Sequence, residues 1–201
     1  GSFQVLQQFV TDQSKLKFNS FMNHNVLKEI GMKDSVFMYP LNAKYSARAI
    51  PAFEGWSGSE IKGGWLNYAC SGAGGMWSTP NDLAVFALSV TDSYLGKKNT
   101  YIAKNIAVKM LTRQKNTDFG LGVVVNGSGK NLYFWKAGHN YGYHSLVIMF
   151  PNTGQGFAIM TNSENGDTVI NYLTAIVAKK YNWPYYFPFF DELVSMPYIE
   201  K

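Results

Sequence analysis

Leu121-Gly122-Val123-Val124-Val125, Asn126-Gly127-Ser128-Gly129 and Leu132-Tyr133-Phe134-Trp135 follow one another as an apolar run, a turn and a second apolar run. Ten mostly polar residues come next: Lys136-Ala137-Gly138-His139-Asn140-Tyr141-Gly142-Tyr143-His144-Ser145. The pattern then repeats as Leu146 to Phe150, a turn over Pro151 to Gly154, and Phe157 to Thr161. Short β-branched and aromatic runs separated by Asn, Gly and Pro predict antiparallel hairpins. Helical periodicity lies on either side. Upstream, Phe3, Leu6 and Val10 recur at helical spacing, and Thr11 to Ser14 breaks that pattern. A second helix carries Phe18, Phe21, Met22 and Ile30 inward and stops at Gly31.

Thr79-Pro80-Asn81-Asp82 opens another helix, with Thr79 as N-cap, Pro80 at N1 and Leu83, Phe86, Ala87 and Val90 on one face. Tyr101 to Arg113 predicts a further helix with Ile102, Ile106 and Met110 on its inner face, and Asp167 to Lys180 a closing one. Helices, then antiparallel strands, then a helix predict an α+β fold rather than alternating βαβ units. The expected organisation is 1–31 helical, 32–78 irregular and cleft-lining, 79–113 helical, 119–162 sheet, 167–183 closing helix and 184–201 tail. A long segment without periodicity, such as 32–78, is uncommon in a compact domain unless it carries function. The tail begins in an aromatic stretch, with seven aromatics between Tyr181 and Phe190 broken by Pro184 and Pro188. It reads either as a packed extended tail or as an exposed patch for a partner.

Composition narrows the classes. The 201 residues are 46% apolar and 15% charged, too apolar for a disordered chain. No apolar run approaches the ~20 residues that a transmembrane helix needs. No charged start and apolar core of a signal peptide opens the chain, as would also hold for a trimmed protein. The net charge of +5 is dispersed, which argues against a nucleic-acid partner. One cysteine, Cys70, and three scattered histidines do not make a Cys-rich zinc site. No metal or organic cofactor is expected.

Chemistry concentrates between the hairpins, where glycines admit a substrate close to the backbone. Phe119-Gly120-Leu121-Gly122, Lys136-Ala137-Gly138 and Asn140-Tyr141-Gly142-Tyr143 together resemble the serine β-lactamase and penicillin-binding-protein superfamily. The likeness is nearest to its class C-like esterase and D-peptidase branch. Gly72-Ala73-Gly74-Gly75-Met76-Trp77-Ser78-Thr79-Pro80-Asn81-Asp82-Leu83-Ala84 is similar to that branch's glycine-rich entry to a capped helix. Val26-Leu27-Lys28-Glu29-Ile30-Gly31-Met32-Lys33-Asp34-Ser35 is similar to its leucine, glycine, methionine helix end. The segments keep the family's order from about Phe3 to Trp183.

The resemblance implies a serine hydrolase that forms an acyl-enzyme on an ester or amide, with peptidoglycan-like material among its substrates, in the periplasm or outside the cell. It gives Lys136, in the family's Lys-Thr-Gly position, an electrostatic role toward substrate and proton transfer. It makes Gly138 the close-approach residue and the His139 N–H an oxyanion donor. Ala137 and Asn140 fall on the substrate side; Ala137 departs from the family's usual hydroxyl, which disfavours β-lactam or D-alanyl substrates. Tyr45 and Tyr68 belong to the segment that roofs the family's cleft, with substrate contact and simple packing both open. His139 and His144 also read as plain turn and strand-face residues, and Asp167 as a helix-capping residue rather than one of an acid pair with Glu164.

The family's Ser-x-x-Lys and Tyr-x-Asn or Tyr-x-Ser motifs precede the helix matched near Phe3. The expectation is therefore a C-terminal portion, inactive alone, whose partner is the missing N-terminal half or a second copy. Ser14 to Lys17 and Ser59 to Lys62 match Ser-x-x-Lys by letters alone, and Ser14 is expected to cap the second helix. A catalytically inactive binding or scaffold domain is the alternative.

Overall fold

The computed structural model describes residues 1–68 and 70–184. Helix α1 (Ser2–Ser14) leads to α2 (Phe18–Met22), which passes through a π-helical turn (Asn23–Leu27) into α3 (Lys28–Ile30). Thr11 to Ser14 does not break α1. These residues include neither glycine nor proline, and the Thr11 hydroxyl donates to the Gln7 carbonyl within the helix. Lys15, in the left-handed region with φ 59°, ends it. Ser14 is therefore the last residue of α1 and not the cap of α2, whose N-cap is Lys17.

Segment 32–78 holds little regular structure: strand β1 (Val36–Phe37), α4 (Ala43–Ser46), α5 (Ser71–Gly74) and strand β2 (Met76–Trp77), with β1 antiparallel to β2. Helix α6 (Pro80–Leu95) starts as its sequence dictates, with Thr79 Oγ1 accepting from the Asp82 N–H at 3.2 Å and proline in the first turn. Asp82 does more than favour the helix dipole. It is buried, and its carboxylate accepts from the Asp34 N–H at 2.8 Å and the Ser35 hydroxyl at 2.6 Å, tying the helix to the segment 48 positions earlier.

Helix α7 (Lys104–Met110) is shorter than its periodicity predicts. Ala107 and Leu111 form its buried face, and Ile106, expected inside, is 44% exposed. Beyond it the β-branched run is only partly strand. The Leu121 N–H donates to the Met110 carbonyl and the Gly120 N–H to Val123, so the chain loops over the end of α7 before strand β3 (Val124–Asn126) begins.

Strands β3, β4 (Tyr133–Asn140), β5 (Tyr143–Phe150) and β6 (Gln155–Thr161) form one antiparallel meander in that order. The polar decapeptide is thus not a linker between two hairpins. Its two halves are paired strand ends, Lys136 opposite Val147 and His139 opposite His144, closed by a turn at Tyr141-Gly142. Helix α8 (Gly166–Lys180) follows.

The pleat sorts side chains onto two faces. Phe134, Val147 and Met149 pack with Val125 against Ala87, Val90 and Leu111 on the α6 and α7 side. Tyr133, Ile148 and Phe150 pack with Ala178 and Trp183 on the α8 side. The result is helices on both faces of the sheet, with one apolar cluster per face. Trp183, from the aromatic stretch, is buried with its ring 5.2 Å from that of Phe150. The stretch beyond Pro184 lies outside the described residues.

Candidate functional site

Strand β3 pairs with β4 only as far as Trp135. Among the described residues, Lys136 to Asn140 therefore keep one strand edge free of a neighbouring strand. Alternation puts Lys136, Gly138 and Asn140 on the face they share with Val147, Ser145 and Tyr143. That face is turned toward α1 and α5. The Lys136 ammonium lies 5.8 Å from the centre of the Phe3 ring. Asn140 Nδ2 donates to the Gly74 carbonyl at 2.9 Å, locking the end of β4 to the glycine-rich segment. A side chain at Gly138 would meet Ser145 Oγ at 2.7 Å, so the strand pair is closest here because residue 138 is bare.

Ala137 and His139 point to the opposite face, with Trp135 and Tyr133. Pleating alone thus separates Ala137 from the face that carries Lys136. Tyr68 comes to the turn, where its hydroxyl accepts from the Tyr141 N–H at 3.1 Å. Tyr45 sits on α4 with its N–H donating to Asn42 Oδ1 and the Lys44 ammonium 5.5 Å from its ring centre. Among the described residues no hydrogen bond or ring contact joins Tyr45 to β4.

A Tyr-x-Ser triplet does occur within the chain, Tyr143-His144-Ser145, but on strand β5 rather than in a loop. Its phenol donates to the Ile50 carbonyl at 2.5 Å, and burial, with the nearby Glu60 charge second, pushes it up to about 12. Ser14 and Ser59 are no better placed as nucleophiles. Ser14 ends a helix instead of starting one, and Ser59 lies in the loop that bridges Phe53 to Glu60.

On the α8 face of the same strand ends, four groups meet that the sequence alone keeps apart. The histidines are not scattered: the turn makes His139 and His144 cross-strand neighbours, ring centres 3.9 Å apart. Glu164 Oε1 lies 3.1 Å from His139 Nε2, and its Oε2 accepts from the Gly142 N–H at 2.6 Å. That backbone hydrogen bond, above all, holds the Glu164 carboxyl below its ordinary range, burial opposing it and the His139 contact assisting. Asp167 Oδ1 reaches His144 Nδ1 at 2.7 Å, so Asp167 serves the histidine rather than acting only as a cap. A two-residue turn at Tyr141-Gly142 would have paired these histidines in the sequence; the two carboxylates come from the loop and helix after β6, which the sequence does not place.

The comparisons agree with this architecture. The Beta-lactamase family model matches residues 1–179. A comparison with curated protein sequences finds no match. Among solved structures, "Crystal structure of SurE" aligns with TM-score 0.73 at 16% identity, over 88% of this chain and 43% of that one. The octameric penicillin-binding protein homologue from Pyrococcus abyssi aligns with TM-score 0.64 at 16% identity, over 87% of this chain and 40% of that one. D-amino acid amidase from Ochrobactrum anthropi aligns with TM-score 0.57 at 16% identity, over 79% and 48%. The chain spans less than half the length of each of these structures. With an α+β β-lactamase/transpeptidase-like arrangement and a family match over most of its residues, the chain belongs to the Beta-lactamase family.

Proposed function

We propose that this chain forms one wall of a serine-hydrolase active site that acts on an ester or amide through an acyl-enzyme, its nucleophilic serine lying outside these residues. The observation that carries the reading is the free edge of β4. There Lys136 and Gly138 face α1 and α5, and Asn140 is fixed to Gly74. Lys136 supplies positive charge toward the substrate and the transferred proton, and the free edge supplies the His139 N–H toward a developing oxyanion. The family membership and the fold shared with the amidase and the penicillin-binding protein homologue support this chemistry. Neither Ser-x-x-Lys match opens a helix, which supports a nucleophile elsewhere.

The remainder of such a domain, or a second copy of this chain, would cover what is left bare. Helix α1 exposes Phe3, Val5, Leu6 and Phe9, and the outer edge of β6 pairs with no strand among the described residues. The periplasm or cell exterior is the compartment we assign by family, with peptidoglycan-like substrates among the candidates. Among the described residues no helix is long and apolar enough to cross a membrane.

The test is intact-mass measurement after a fluorophosphonate or penicillin probe. The 201-residue chain alone should stay unlabelled, and the longer protein that contains it should gain one adduct. A stoichiometric adduct on the chain alone would overturn the placement of the nucleophile. The missing hydroxyl at Ala137 favours a second reading, an inactive binding or scaffold domain. An unlabelled longer protein would select it.

A further inference from the structure

We propose that His139, His144 and Asp167 bind a divalent transition ion of the zinc type, on the sheet face opposite Lys136. One donor atom from each lies within 4.8 Å of the others. The ligand atoms of a tetrahedral zinc stand about 3.3 Å apart, so small side-chain adjustments close the set. Two imidazoles and a carboxylate are the donor chemistry that suits zinc and its neighbours, whereas calcium and magnesium prefer oxygen alone.

The independent observation is His144. Its side chain is 2% exposed, yet neither ring nitrogen has a partner in hydrogen-bonding geometry. Nδ1 stands 2.7 Å from Asp167 Oδ1 and Nε2 stands 3.8 Å from Glu164 Oε2. A buried imidazole with carboxylates beside it but neither nitrogen in hydrogen-bonding geometry is rare in folded proteins. An ion taking one nitrogen, with a carboxylate beside the other, is an arrangement that satisfies both. Asp167 and Glu164 bring two carboxyl groups against the histidines, a negative environment that favours a divalent cation.

The frame for the ion is built by packing. A side chain at Gly166 would collide with Thr161 Oγ1 and come within 2.9 Å of His144 Cβ, so a bare residue 166 lets the start of α8 press onto the histidine. The ion would clamp the β4–β5 turn to α8. His139 and Asp167 are 56% and 69% exposed in their side chains, which leaves a route in from solvent. The side chains of this site lie across the sheet from Lys136, so the proposal stands on its own geometry, although His139 also lends the hydrolase reading its backbone N–H.

The experiment is equilibrium dialysis of the chain against Zn²⁺ with metal analysis, paired with Co²⁺ absorption spectra. The native chain should retain one equivalent of zinc with micromolar or tighter affinity, and Co²⁺ should give the visible bands of a low-symmetry four- or five-coordinate site. His139→Gln and Asp167→Asn, both at exposed side chains, should each weaken binding at least tenfold while far-UV circular dichroism stays native. His24→Gln, on the second helical segment, should leave binding unchanged. Failure of the native chain to retain zinc, binding by either site variant at native strength, or loss in His24→Gln would overturn the proposal. If either variant unfolds, the Co²⁺ spectrum of the native chain decides: bands of a six-coordinate aquo ion overturn it.

Discussion

Gly142→Ala should destabilise the fold well beyond the ordinary effect of losing a turn glycine. Gly142 has φ +76°, and a non-glycine residue there costs roughly 1–2 kcal/mol. The added methyl would also stand 2.6 Å from Ala52 Cβ and 2.7 Å from Ile61 Cδ1. Neither neighbour can swing away. Ala52 is fully buried and Ile61 nearly so, and Ile61 N–H donates to the Ala52 carbonyl at 2.8 Å. Overpacking of this kind costs about 1–3 kcal/mol, for a total of about 2–5. At about 2–4 °C per kcal/mol for a chain of this size, the melting midpoint should fall by roughly 4–20 °C. Gly154→Ala isolates the backbone part. Its φ is +73° in the β5–β6 turn, and no atom lies within 4 Å of where its methyl would stand, so only about 1–2 kcal/mol should be lost. Thermal unfolding followed by circular dichroism reads both variants. A drop for Gly142→Ala no larger than that for Gly154→Ala would refute the packing argument.

Asp82→Ala should leave the part-buried Asp34 N–H without its acceptor and the buried Ser35 hydroxyl with Ser78 alone, costing about 1–3 kcal/mol. Thr79→Ala, which removes only the cap, should cost about 1 kcal/mol, so urea midpoints should rank the two variants in that order. Tyr143 titrates at about 12 when folded, against 10.0 ordinarily, so the unfolded chain loses this proton first. Stability from this group should hold below pH 10.0 and drain away as pH rises toward about 12. Tyr143→Phe should flatten that alkaline loss in denaturant midpoints, and an unchanged slope would contradict the assignment. Lys136→Ala, at an exposed side chain, should change stability by less than about 0.5 kcal/mol. On the proposed hydrolase reading, in a longer protein that also carries the nucleophile, it should lower the rate of acylation by the probe at least tenfold; an unaltered rate would remove Lys136 from the chemistry.

Local rules make much of this fold legible. Thr79-Pro80 announces α6, Gly31 ends the second helical segment, and the apolar runs with their turns name the strands, because capping, left-handed backbone and pleating each act within a few residues. Where propensity is traded against packing, sequence and structure part. Thr11 to Ser14 stays helical because polar residues on an outer face break nothing. Ile106 is outside because α7, packed against α6, turns Ala107 and Leu111 inward. The Lys136 motif is visible as a string of residues, but its orientation needs the register with β5, which sends Lys136 and Gly138 to one face and Ala137 and His139 to the other. The cluster of His139, His144, Glu164 and Asp167 is the least legible part. Its histidines meet through a turn, its carboxylates arrive from beyond the next strand, and its burial depends on how closely α8 seats on the sheet. The sequence alone determined which residues could carry charge and where the capped helices and the apolar parts of the strands lie. Tertiary structure decided which of those charges share a face, because that depends on contacts between residues distant in the chain.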